Sequence, residues 1–140
     1  MIASRYQRPI HRAASTVEFA VVAPLFFLIV LGLIEIGRAC MVTELLTEAA
    51  RRGCRAGVIE GTGSTAIQQT ATTYLTNVGI NGESANVYVN DVPAGSTNVQ
   101  TMPAYTEITV VVTVPIANVA WTPLWFVPGS LAGQYTMRRE

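Results

Sequence analysis

Lysine is absent from this 140-residue chain, histidine occurs once, at His11, and cysteine twice, at Cys40 and Cys54. A lone histidine ahead of the main body excludes a Ser/His or Cys/His nucleophile system beyond it. A zinc site lacks its ligands for the same reason. The glycine-bearing stretches Gly53-Cys54-Arg55-Ala56-Gly57 and Gly61-Thr62-Gly63 have neither the strand before nor the residues after that a phosphate loop needs. No pair of carboxylates is evident. The sequence therefore predicts no catalytic residue, no metal and no cofactor, and reads as non-enzymatic. Charge is scarce too, at 13% of residues, against about a quarter in soluble domains. The formal net charge is zero, so the footprint of a nucleic-acid partner is missing.

The place of charge is taken by a run from Phe19 to Ile34 that contains no ionisable side chain, bounded by Glu18 and Glu35. At about 1.5 Å per residue it spans about 24 Å as a helix, and with Ala14 to Val17 it approaches the ~30 Å of a bilayer core. A helix apolar on every face has nowhere to hide in a chain this short, so the run reads as a membrane span. Pro24 lies inside it and removes one backbone bond, which membranes tolerate when neighbours satisfy the freed carbonyl. Ahead of it, residues 1–13 form a basic leader with Arg5, Arg8, His11 and Arg12 and no acid. Positive charge before an apolar segment places the leader in the cytoplasm and the remainder outside. The run is longer than a secretory signal core, and Gly37-Arg38-Ala39 fits poorly before a lipidated cysteine.

Past Glu35 the helix becomes amphipathic. Ile36, Cys40, Val42 or Thr43, Leu46, Ala49 or Ala50, Gly53 and Gly57 recur at spacings of three and four. Cys40 and Cys54 lie 14 positions apart on it, about 21 Å along the axis and beyond disulfide reach. They read as small packing residues, with an intermolecular contact as the alternative. Ser64 or Thr65 is expected to cap a second helix through about Val78, closed by Gly79. Ala85–Val92, Tyr105–Val114 and Leu131–Met137 read as strands. In the second, Ile108, Val110, Val112 and Val114 face one way and Glu107, Thr109 and Thr113 the other. The 93–103 stretch reads as a loop, and the stretch from Ala117 to Pro128, with Trp121, Leu124, Trp125 and Phe126, as an irregular apolar segment. The expected fold is α+β: a leader at 1–13, a transmembrane helix at 14–35, and an outer domain at 36–140 with a second helix and about three antiparallel strands.

Glu18 is the informative residue. A carboxylate at the edge of an apolar helix is costly if charged and unpaired, by about 2.5–3.5 kcal/mol. It can snorkel or take support from the helix N-terminus, or it can await a cation on another subunit.

Arg12-Ala13-Ala14-Ser15-Thr16-Val17-Glu18-Phe19-Ala20-Val21-Val22-Ala23-Pro24, followed by Gly32-Leu33-Ile34-Glu35-Ile36-Gly37-Arg38, closely resembles the TadE-like family. These are pseudopilins or minor pilins of tight-adherence, Flp-type pili, a branch of the type IV pilus machinery. The resemblance implies a pilin-like, single-pass protein of the bacterial cytoplasmic membrane. It implies membrane lipid, other pilin or pseudopilin subunits and a prepilin peptidase as partners. It implies cleavage between Ala13 and Ala14, which makes Glu18 the fifth mature residue and gives Glu18 and Pro24 a part in assembly. The chain departs from the family pattern at Ala13, where prepilins carry Gly. An unprocessed, membrane-anchored binding protein that does not polymerise is the alternative expectation.

Overall fold

A computed structural model describes residues 11–59, 61–95, 99–120 and 129–139. The element order is α1 (His11–Val58), α2 (Ser64–Asn77), β1 (Ser84–Val89), β2 (Val92–Pro93), β3 (Glu107–Pro115) and β4 (Ser130–Arg138), with short 3-10 turns at Val99–Thr101 and Ile116–Asn118. The chain divides into two compact units, residues 1–36 and 37–140. In the first, α1 runs through Pro24 without interruption. Phe19 and Leu28 lie half a turn apart by helical spacing, yet are 72% and 67% exposed. The apolar surface therefore runs all round the helix.

The second unit is one antiparallel sheet in the order β2-β1-β3-β4, packed on one face by α2 and the latter part of α1. Period-2 alternation sets the two faces. Ile108, Val110, Val112 and Val114 of β3 and Val87 and Val89 of β1 are buried. The opposite face is polar, with hydroxyl pairs at Thr109–Thr136 and Ser84–Thr113, each 2.8 Å. From α1 the buried stripe is Val42, Leu46, Ala49, Ala50 and Cys54, with Gly53 and Gly57 set against Ile67 of α2. Leu46 is fully enclosed, a burial of about 1.5–3 kcal/mol. Cys40 and Ile36, which the spacing placed on this stripe, are exposed instead, because the stripe begins to meet the sheet only at Val42.

Two further expectations are corrected. Ala85–Val92 is two strands, not one. Asn90 and Asp91 both adopt positive φ, 47° and 64°, and Val89 pairs with Val92, which is a two-residue type I′ hairpin turn. The sheet accordingly has four strands. At the start of α2 the cap is Gly63, not Ser64: its carbonyl accepts from Ala66 and Ile67 at 3.1 and 3.2 Å, with no side-chain bond. The other end closes as expected at Gly79, whose φ is +83°. Ile80 N–H reaches the Leu75 carbonyl at 2.9 Å and Gly79 N–H that of Thr76 at 3.1 Å, while Ile80 and Leu75 pack into the core. This is a complete Schellman motif.

Arg139, beyond the expected last strand, is buried. Its Nη1 donates to the carbonyls of Val99 at 3.0 Å and Met102 at 3.3 Å. A cation caps the 3-10 turn and ties it to the end of β4. Replacing Arg139 with Ala leaves two carbonyls without that donor and is expected to cost about 2–3 kcal/mol. The urea midpoint of detergent-solubilised protein measures this.

Candidate functional site

Ala13 and Ala14 lie within α1, which opens at His11. Glu18 lies one turn after Ala14 on the same helix and is exposed. Arg52 Nε and Glu48 Oε1 form an ion pair at 3.1 Å in the second unit. Pro24 follows six positions after Glu18 and is likewise exposed. It has no N–H to donate to the Ala20 carbonyl, so one regular helical bond is missing inside the apolar stretch. The structure thus brings Ala14, Glu18 and Pro24 onto consecutive turns of one helix. They are spread along the helix one after another. From Ser15 onward this helix is long and apolar enough to cross a bilayer.

The second unit offers an open groove lined by Cys40, Thr43, Glu44, Thr47, Glu48, Arg51 and Tyr135. Arg51 stacks over the Tyr135 ring, 5.6 Å from its centroid. On the same stretch of helix Arg52 pairs with Glu48 one turn earlier. Among the described residues no three His, Cys, Asp or Glu side chains converge on a point.

The two cysteines have opposite settings. Cys54 sits against the β3–β4 ladder, its Sγ 3.1 Å from the Tyr135 carbonyl and 3.5 Å from that of Ile108. Burial pushes its thiol from 9.0 up to about 11, against a smaller opposing pull from the backbone at Val110 and Met137. Native protein is expected to react with maleimide at Cys40 alone, and at both thiols once unfolded, as peptide mass mapping will read. Between pH 9 and 11 the unfolded chain has lost the Cys54 proton and the native one retains it. Stability therefore falls as pH rises through that window. Cys54→Ala removes this share of the loss.

Residues 13–55 match the family model described as TadE-like protein. This segment is similar to that family. The matched stretch begins at Ala13 and takes in Ala14, Glu18, Pro24, the apolar run and the buried stripe as far as Arg55. It stops before α2 and the sheet. No curated protein and no solved structure matches the chain. The Trp121–Phe126 stretch and residues 1–10 of the leader lie outside the described residues.

Proposed function

We propose that this protein is a TadE-like pseudopilin or minor pilin. It is anchored by one pass through the bacterial cytoplasmic membrane and takes part in assembling a tight-adherence, Flp-type pilus or a related secretion apparatus. The observation that carries the reading is a helix apolar on every face that starts with an exposed carboxylate one turn after Ala14. Inserted into lipid or a bundle of like helices, that carboxylate needs a cation. Cleavage between Ala13 and Ala14 creates one, the new α-amino group, on each neighbouring copy. A Glu18–amino pair between copies fixes their register, since either charge left alone in a dry setting is expensive. Ala20, Ala23 and Gly32 favour close helix contact there. The arginines of the leader keep the N-terminal side cytoplasmic and leave the sheet unit outside. The protein performs no catalysis and takes no cofactor in this reading.

The residue at position 13 supports a second reading. Ala13 replaces the Gly of prepilins, and an uncut chain would be a membrane-anchored binding protein that does not polymerise. Mass spectrometry of the protein isolated from its native membrane separates the two. A chain starting at Ala14 supports the pilin reading, and an intact leader overturns it in favour of the second.

A further inference from the structure

Within the second unit, α1 carries Glu44, Glu48, Arg51 and Arg55. At about 100° per residue these fall within an arc of about 60°, so they form one stripe. Glu44, Arg51 and Arg55 are exposed and Glu48 is half-buried. The order along the stripe is acid, acid, base, base. Glu44 and Glu48 are one turn apart, as are Arg51 and Arg55, the spacing at which like charges repel along a helix. Glu48 pairs with Arg52, which leaves the stripe to lie over the Tyr74 ring, 4.0 Å from its centroid. Glu44 precedes Arg51 by seven positions, and Glu48 precedes Arg55 by the same number. Seven residues are about 10.5 Å of helix, past the one-turn reach of neighbouring side chains.

The surface beside these charges suits a second helix. It is the open groove in which Cys40, Thr43, Thr47 and Tyr135 accompany Glu44, Glu48 and Arg51. Thr43 Oγ1 donates to the Ala39 carbonyl and Thr47 Oγ1 to the Thr43 carbonyl, each at 2.9 Å. Both hydroxyls are thus satisfied inside α1, and covering them strands no donor. The Tyr135 ring orders the Arg51 guanidinium in advance of any partner. Stacking uses the face of that group and leaves its edge N–H groups to donate.

We propose that this stripe is a contact for a second copy of the chain, parallel and displaced by seven residues, with Glu44 and Glu48 of one copy against Arg51 and Arg55 of the next. The proposal rests on the assembly reading given above. Charge complementarity selects the displacement: parallel copies without it would set acid against acid and base against base. An antiparallel pair would use both halves of the stripe at once and close on itself. The displaced contact takes the acidic half of one copy and the basic half of another. A half stays open at either end, so a series can grow, as assembly requires.

The test is a cross-link that reads the register. The full-length chain with Thr47→Cys keeps its exposed Cys40 and its buried Cys54. Positions 40 and 47 of one copy are about 10.5 Å apart along the helix, beyond disulfide reach, so a bond between them joins two copies. In the displaced register Cys40 of one copy faces position 47 of the next. Membranes and sheared filaments of producing cells are oxidised briefly at low salt, and the dimers are mapped by peptide mass. The expected main product is a bond between Cys40 and the position-47 thiol. Its yield should fall about tenfold in Glu44→Arg and return to within about twofold when Arg51→Glu is added, because each single reversal opposes like charges and the exchange restores unlike ones. A folding defect would not be restored in this way, and maleimide protection of Cys54 checks the fold of each variant. A main product joining Cys40 to Cys40, or position 47 to position 47, overturns the inference and leaves the assembly reading intact. A yield indifferent to Glu44→Arg does the same. No bond in any fraction also overturns it, and an intact leader in that case overturns the assembly reading as well.

Discussion

Gly133→Val is expected to unfold the sheet unit, with a loss of about 3 kcal/mol or more. Gly133 lies on β4 opposite Val112 and is buried beneath α1. A Cβ there would meet the main-chain atoms of Leu46 and Thr47. Backbone in the middle of a helix cannot step aside as a side chain can, so the helix must lift from the strand and uncover Leu46. Gly57→Ala provides the contrast. Its Cβ would approach Ile67 Cδ1 at 2.8 Å, the far end of a flexible side chain that can rotate away, and the expected cost is about 1 kcal/mol. Pulse alkylation of Cys54 in a Cys40→Ser background distinguishes them. The thiol in Gly133→Val should react as fast as in urea, and in Gly57→Ala it should remain protected. A protected thiol in Gly133→Val would mean that α1 does not lie against β4 at this point.

Glu18→Ala is expected to leave membrane insertion and the sheet unit untouched and to abolish assembly. Glu18 is exposed on the helix, so truncating it removes no packing within the subunit. Its expected role is with a neighbour, where breaking a desolvated charge pair costs about 3–5 kcal/mol. At 1.4 kcal/mol per tenfold, subunit association should weaken by about two to four orders of magnitude. Glu18→Gln should behave in the same way, because it keeps the shape and loses the charge. The readouts are the amount of protein in the membrane fraction and the filament yield sheared from cells. Undiminished filaments in either variant would dismiss the pairing.

Much of this molecule is written in residue periodicity. The apolar run announces itself because no other element tolerates so long a stretch without charge. β3 is equally plain, since its alternating Ile108, Val110, Val112 and Val114 all reach the core. The hairpin was harder to see because its turn is Asn90-Asp91, without the glycine that usually marks positive φ. Asn and Asp tolerate that region through local side-chain bonding, and Asn90 Oδ1 does accept from Glu107 N–H at 3.1 Å. Arg139 gave no local signal at all. Its burial depends on the Val99–Met102 carbonyls, about 40 positions away, a relation no window of sequence contains. The same holds for Arg38, whose tie to Val119 is a product of the tertiary fold. Of the candidate assembly residues, Glu18 and Pro24 stood out by being polar or helix-breaking where the surroundings are neither. Ala13 and Ala14 were identified by resemblance alone.

The helix that enters lipid also supplies the floor of the sheet unit, and this orders events during synthesis. Leu46 and its neighbours leave the ribosome early, whereas β4, which covers them, follows more than eighty residues later. Local contacts cannot close that gap, so the unit completes only once nearly the whole chain has emerged. A translation product arrested before β4 would carry a bare apolar stripe that marks it as unfinished. For the same reason a soluble version of the sheet unit cannot begin after α1. It must retain the helix from about Gly37, where the second unit starts.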